Sequence, residues 1–406
     1  MQKLLRPHIE STIERLRAHE VILAVQDTTS VNYTAHPPEG MGPIGDGKYG
    51  LVGLVLHDTM AFTPAGVPLG LLDVQCWARD PNDIGKKHRR QQLPIEAKES
   101  RKWLISYRTA AEIQKMCPDT MIVSVGDREA DLYELFHEAA QDPSGPKLLI
   151  RAERTRSRKV IDDDKEDKKE ELWKKMADEP AAGLIDLAVP RRGSRPARTA
   201  RLQVRFAQVV LKPPTTSKLV SPLSVWVVNA REVDYGIEVR EPINWMLLTT
   251  VKTECFEDAC ERLNWYARRW RIEVYHRTIK SGCRIEDRRL DDSQSIQACL
   301  AIDLVVAWRV YWLTMLGREE PETPCDQILS QDEWHVLSAW ATGKIPEAPP
   351  IAQIAMRWIG KLGGWLRRGN NDNPGTTCMW RGLTRLPSMA QGYRLALDTH
   401  GSRAGP

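Results

Sequence analysis

The order of apolar runs in the first 150 residues constrains the fold more than any other feature of this chain. Residues 21–25 form a short apolar run that ends at Gln26, Asp27, Thr28, Thr29 and Ser30. Two strand-like stretches follow, at 49–63 and 68–77, joined by a turn at Thr63, Pro64, Ala65 and Gly66. These three read as an antiparallel meander. A helical stretch over 98–116 stops at Cys117 and Pro118. After it come a strand at 121–125 that runs into Gly126 and Asp127, a helix over 130–140, and a strand at 148–150. Three strands, a helix, a strand, a helix and a strand predict a mixed α/β sheet with flanking helices. In that order Asp27 and Asp127, at the ends of the first and fourth strands, lie side by side if those strands are neighbours.

The rest of the chain divides by a change of pattern. An amphipathic helix over 7–20 opens it. From 151 to about 250 helical periodicity is lost, and β-type patches alternate with charged loops; the mixed-sign run 162–179 reads as a solvated helix or loop. A helical pattern resumes near Glu257 and continues to the end, broken at 321–324, 346–350 and 369–375. The expected boundaries are an N-terminal helix at 1–20, the first part of an α/β core at 21–150, a β-rich insertion at 151–252, a helical second part of the core at 253–318, and a helical C-terminal unit at 319–406.

At 406 residues the chain can bury a sizeable core in two or three units. Its 42% hydrophobic content contains no evident run of the roughly 18 apolar residues that a membrane span needs, and residues 1–7 lack a secretory pattern. A cytoplasmic location is expected. The eight cysteines are scattered with no CxxC pair, so reduced structural thiols are expected. The net charge of +4 decides nothing, but its distribution does: Arg262, Arg268, Arg269, Arg271, Arg277, Lys280, Arg284, Arg288 and Arg289 outnumber the acids near them. Cations without a sequence-local partner are suited to phosphates.

Within that basic stretch, a helix turning about 100° per residue places Tyr266, Arg269, Glu273 and Lys280 within an arc of about 60°. One reading is a surface helix laced with i,i+4 ion pairs. The other is a face on which cations grip a DNA backbone while a carboxylate holds a divalent ion. Asp27 and Asp127 are each also readable as turn or cap residues, and Asp131 rivals Asp127. Together, two strand-end acids and one helical acid are what a two-metal phosphoryl-transfer site requires. Mg²⁺ takes hard oxygen ligands, and a pair of ions about 4 Å apart serves both the attacking and the leaving oxygen, with no histidine base needed.

Segments 25–30, 125–131 and 266–280 resemble the three acidic motifs of the insertion-sequence-four family of bacterial transposases, the transposon-five type in particular. The third matches that family's Tyr-(2)-Arg-(3)-Glu-(6)-Lys signature at Tyr266, Arg269, Glu273 and Lys280. The resemblance implies a ribonuclease-H-like fold with a β-rich insertion between the second Asp and the Glu. It implies that Asp27, Asp127 and Glu273 are catalytic and bind Mg²⁺ or Mn²⁺, two ions per site. Tyr266, Arg269 and Lys280 would then contact transposon-end DNA. Trp245, 21 positions before Tyr266, stands where the family stacks a tryptophan on a flipped base; its alternative is a strand residue packed in the core. Arg151, and Arg195 with Arg198 in a basic loop, are weaker candidates for phosphate contacts.

Residues 360–364, 373–375 and 380–383 resemble the family's dimerisation domain, which extends the likeness from about residue 11 to 400. The implied activity is cut-and-paste transposition by a homodimer on transposon-end and target DNA: strand nicking, hairpin formation, hairpin opening and strand transfer. One departure stands out. The family places a helical end-binding domain before the first Asp motif, whereas only 26 residues precede Asp27 here. Two expectations follow: a start upstream of Met1, or an N-terminally truncated regulator that inhibits a full-length transposase by dimerising with it.

Overall fold

The computed structural model describes residues 1–406 except 46–48, 84–92, 157, 162–168, 191–195, 216–218, 220, 238, 368–372 and 402–406. The apolar runs β1 (Val21–Asn32), β3 (Val52–Phe62) and β4 (Pro68–Trp77) form the expected meander, with β3 antiparallel to both others. The short β2 (Gly42–Pro43) also pairs with β3. Helix α1 (Gln2–Leu16) precedes the meander and α2 (Arg101–Met116) follows it. Then come β5 (Met121–Gly126), α3 (Tyr133–Gln141) and β6 (Lys147–Arg151). β5 lies parallel to β1, from Val21 opposite Met121 to Val25 opposite Val125. Parallel strands are covered on both faces, which is why these runs are almost continuously apolar.

Alternation along the strands sorts their side chains onto two faces. Ile22, Ala24 and Ile122 pack with Ile13 and Leu16 of α1 and with Ala110 and Ile113 of α2. Leu23, Val25, Val123 and Val125 belong to the main core, which includes Ile272 and Tyr275 from the basic segment. Asp27 and Asp127 share the parity of this second group. Strand periodicity therefore directs both carboxylates to the face that the basic segment covers.

Some expectations are corrected. β1 continues to Asn32, so Asp27 lies inside the strand rather than at its end; only the parallel pairing stops after Val25, while pairing with β3 runs on to Asn32 opposite Gly53. The first helix spans Gln2–Leu16 and contains Pro7 instead of starting there. The ring forfeits one helical hydrogen bond, and burial of Leu5, Ile13 and Leu16 holds the helix regardless.

The region expected as an insertion contributes β7 (Lys159–Ile161), β8 (Lys169–Glu171), α4 (Leu172–Asp178), β9 (Gly183–Val189), β10 (Arg198–Leu211), β11 (Leu223–Val233) and β12 (Asn244–Thr249). These strands extend the same sheet. β12 pairs antiparallel with the edge of β6, and the path runs β2-β3-β1-β5-β6-β12-β11-β10-β7-β8, with β4 on β3 and β9 on β10. Edge hydrogen-bonding groups of β6 are thereby satisfied. The mixed-charge run is not simply solvated: residues 162–168 lie outside the described residues, but Leu172 and Met176 of α4 are buried.

Beyond residue 255 the regular structure is helical: α5 (Phe256–Ala267), α6 (Arg271–Arg277), α7 (Ser293–Glu319), α8 (Gln331–Thr342), α9 (Ala352–Leu362) and α10 (Thr376–Gly401). α7 overturns the expectation that no stretch is apolar enough to span a membrane, since an 18-residue window reaches a mean hydropathy of 1.6. Burial explains its composition. Of that window 72% is inside the protein, and the Trp308 indole donates to the carbonyl of Pro68 on β4, as expected of a helix surrounded by core. α9 and α10 meet through glycines: a Cβ on Gly363 would lie 1.8 Å from the Cys378 carbonyl oxygen, and one on Gly382 would lie 2.0 Å from that of Ile359.

Two outcomes follow from this packing. Gly382→Ala should lower unfolding free energy by about 1–3 kcal/mol or more, as overpacking against backbone does, while an alanine at the open Gly375 should cost far less; urea melts of the two variants decide it. The second concerns pH. His8 of α1 is buried, packs on Trp308 and accepts a hydrogen bond at Nε2 from the Leu71 amide, so burial, reinforced by Arg15, lowers its pKa to about 4. The folded value lies below the unfolded one, so stability is full above pH 6.5 and is lost as pH falls from 6.5 to 4. The loss is about 3 kcal/mol. His8→Gln should flatten that part of the stability profile; an unchanged profile would refute the assignment.

Candidate functional site

The two strand acids sit just beyond the last parallel rung between β1 and β5. Asp27 accepts a hydrogen bond at Oδ1 from the Thr28 amide at 2.9 Å. Asp127 caps a short 3₁₀ turn, accepting at Oδ1 from the Glu129 amide at 2.8 Å. Its rival Asp131 is engaged elsewhere. That carboxylate is fully buried, takes the Arg158 Nε–H at 2.6 Å and the Glu153 amide at 2.9 Å, and so ties the start of α3 to the segment after β6.

Glu273 reaches the same space from α6. Arg269 links the clusters: one guanidinium nitrogen lies 2.6 Å from Glu273 Oε1 and another 3.6 Å from Asp27 Oδ2. Burial opposes the charge of Arg269, but Tyr266, Asp27 and Glu273 outweigh it and raise its pKa. Burial raises the pKa of Asp27, with Asp127 adding to the effect; His276, Arg269 and the Thr28 amide pull the other way. Asp27 thus lies within electrostatic reach of Asp127 and is linked through the Arg269 guanidinium to Glu273.

The helix stripe expected over 264–282 is not one regular helix. α5 ends at Ala267, and the amides of Arg268, Arg269, Arg271, Ile272 and Glu273 each bond to a carbonyl three residues back. Such tightening brings residues i and i+3 into line, which sets Arg269 over Tyr266. After α6 the backbone widens into a π-helical turn at Thr278–Gly282, which contains Lys280. The expectation that the basic segment lacks internal partners is also corrected. Arg271 bonds the Gly66 carbonyl and Glu319, Arg288 pairs with Asp303, and Arg268 bonds the Pro64 carbonyl. These partners are 15 to 205 residues away in sequence, beyond the reach of local charge counting.

The remaining expected residues fall into two groups. Tyr266 is buried, and its ring meets that of Trp245 edge-on with centroids 5.0 Å apart. Arg151 donates to the Asn244 carbonyl at 3.3 Å and favours the charged form of the Tyr266 phenol. Burial raises the Tyr266 pKa, while Arg269 and Arg151 oppose it and Asp127 adds to it, so Tyr266, Trp245 and Arg151 border the acidic cluster. Lys280, half-buried, acts electrostatically on His276. Arg198 is away from this group. At the start of β10 its guanidinium holds Glu232 with both nitrogens, and Glu232, despite burial, drops below its usual pKa as Arg198 and the Ile243 amide favour its charge. Arg195 lies outside the described residues.

Sequence reasoning missed two residues, Asp58 and His276. Asp58 lies directly opposite Asp27 on β3 and is fully buried, and His276 Nε2 is 3.0 Å from its Oδ2. Burial works against a charged His276, but Asp58 and Asp27 outweigh it and raise its pKa. A signal existed for each. His57, Asp58 and Thr59 interrupt an apolar strand, and His276 follows Glu273 at i+3 on the same helix face.

The carboxylates of Asp27, Asp127 and Glu273 are hard oxygen donors of the kind a divalent cation takes, and burial already disfavours the Asp27 charge. The shell is not gathered: among the described residues no group of three or more His, Cys, Asp or Glu side chains is close enough to hold a metal ion. Between Asp27 and Glu273 stands the guanidinium of Arg269, a cation on a flexible stem.

With the geometry in view, comparison with known proteins adds a finding for the other end of the chain. Residues 305–402, about a quarter of the protein, match the family model of the transposase Tn5 dimerisation domain. Among solved structures, a cryo-EM structure of the piggyBac transposase synaptic complex with hairpin DNA aligns over 78% of this chain and 52% of its own, at 8% identity and a TM-score of 0.37. The chain spans about half the length of that structure, and a score of this size assigns no fold.

The link through Arg269 can be checked in solution. Replacing Arg269 with Met removes a cation that favours the Asp27 carboxylate, so the Asp27 pKa, already above the usual range, should rise further. Carboxyl-carbon NMR titration, assigned against Asp27→Asn, would show it; an unchanged or lower pKa would mean that the two side chains do not interact.

Proposed function

We propose that this protein is a DNA transposase of the three-carboxylate kind, with Asp27, Asp127 and Glu273 as its reactive cluster. The observation that carries the reading is that Asp27 on β1 has Asp127 as an electrostatic neighbour after β5 and is joined through Arg269 to Glu273 on α6, with Lys280, Arg151 and Tyr266 nearby. The match of residues 305–402 to a transposase dimerisation domain supports it independently. We read the β1-β3-β4 meander followed by β5 and β6 as a ribonuclease-H-like core, and α7 to α10 as containing the dimerising part. A non-catalytic inhibitor acting through residues 305–402 alone would have no use for the acidic cluster.

In this reading Asp27, Asp127 and Glu273 would hold Mg²⁺ or Mn²⁺, two ions per site. When bound, such ions activate an attacking oxygen and stabilise the leaving one. The chain's own residues do the rest. Arg269 pairs with Asp27 and Glu273 in the DNA-free protein and turns to a phosphate when DNA arrives, exchanging one anionic partner for another. Lys280 and Arg151 add positive charge near the cluster, and the partly buried Trp245, packed edge-on against the buried Tyr266, offers an aromatic surface to an unstacked base. Nicking, hairpin formation, hairpin opening and strand transfer are all in-line displacements at phosphorus, so one site serves each step. A homodimer would hold two transposon ends.

Asp127→Asn is the direct test because it keeps an oxygen to cap the Glu129 amide while removing the charge. The variant should melt like the parent and retain DNA nearly unchanged, yet lose Mn²⁺-dependent strand cleavage of a duplex bearing the element's own end. Equal cleavage by parent and variant would rule out the assigned role.

A further inference from the structure

The helix that carries Glu273 is intrinsically weak. α6 has seven residues, too few to be stable alone, and it is bounded by tight three-residue turns before and a π-helical turn after. Its far side is anchored: the Tyr275 hydroxyl donates to the Leu304 carbonyl at 2.9 Å, and the Tyr311 hydroxyl donates to the Arg271 carbonyl at 3.0 Å. On the side facing the sheet, the anchor one turn beyond Glu273 is His276, whose Nε2 meets Asp58 Oδ2 at 3.0 Å. Asp58 is the cross-strand neighbour of Asp27. A strand rung and one hydrogen bond therefore connect Asp27 through Asp58 and His276 to the turn of helix bearing Glu273.

We propose that Asp58 and His276 are positioning residues that hold the Glu273 helix at the working distance from Asp27. The inference rests on the reading of Asp27, Asp127 and Glu273 as the reactive cluster. The cost of the pair argues against a purely stabilising role. Asp58 has no exposed surface, and its Oδ1 has no hydrogen-bond partner among the described residues. A buried ion pair is commonly no better for stability than apolar residues of similar volume, so packing alone would not require it. What the pair adds is direction: one charge-assisted hydrogen bond of defined geometry, where an apolar contact would let a short helix shift. Arg269 also joins Asp27 to Glu273, but phosphate competes for that guanidinium, whereas the Asp58–His276 contact is enclosed and keeps its partner when DNA binds.

The test uses the full chain and a Mn²⁺-dependent cleavage assay, with parent and Asp127→Asn as references. The double replacement Asp58→Leu with His276→Phe should melt at the parent's temperature or above. Its kcat should nevertheless fall about 100-fold, the scale of a 1 Å misplacement, with KM for DNA unchanged. In the DNA-free protein, amide hydrogen exchange should speed up over residues 271–282 and not elsewhere in the core. His276→Gln, which can still donate to Asp58, should recover most of the rate that His276→Ala loses. A stable double variant that cleaves at the parent's rate would overturn the proposal, as would a Gln variant no better than Ala. Should the double variant not fold, the Ala and Gln pair decides by the same criterion. If the parent itself fails to cleave, or Asp127→Asn cleaves equally, the underlying reading is what falls, and the exchange pattern alone still tests the anchor.

Discussion

Five parallel rungs between β1 and β5 are the constraint on which the rest of the site depends. Because side chains alternate along a strand, pairing Val25 with Val125 sends Asp27 and Asp127 to the same face at the same height. A slip of one residue would turn one of the two carboxylates toward α1 and α2. The register is held by burial: Ile22, Ala24 and Ile122 pack on those two helices, while Leu23, Val25, Val123 and Val125 enter the main core. Two acidic side chains are thus placed by the hydrophobic residues that precede them.

Glu273 is positioned by weaker means. It stands where a helix tightens, relaxes over seven residues, and then widens, and no regular periodicity spans that interval. Irregular helix is costly unless tertiary contacts hold it, and here they do. Arg271 reaches Gly66 and Glu319, Tyr275 reaches α7, and His276 reaches Asp58.

Electrostatics explains the remainder of the arrangement. Burial raises the Asp27 pKa even with His276 and Arg269 close by, and the Asp127 carboxylate adds to the effect. Arg269 offsets part of that cost by lying between Asp27 and Glu273. Arg268, Arg271 and Arg288 of the basic segment serve structure, pairing with Glu319 and Asp303 or bonding carbonyls of the β3–β4 turn. Part of the positive charge legible in the sequence is therefore taken up within the fold.

The sequence by itself determined the strands and their order, because apolar runs of strand length bounded by turn residues have few other uses. It also grouped Tyr266, Arg269, Glu273 and Lys280, whose spacing is local and therefore readable, and offered Asp27 and Asp127 as acids that follow apolar runs. It could not determine which of Asp127 and Asp131 turns toward Asp27, that the β-rich region would extend the sheet, or that most basic side chains would find internal partners. Nor could it pair Asp58 with His276, 218 residues apart. Those outcomes were decided by tertiary structure, since register, burial and ion pairing across long separations depend on which surfaces meet, and local spacing carries no record of that.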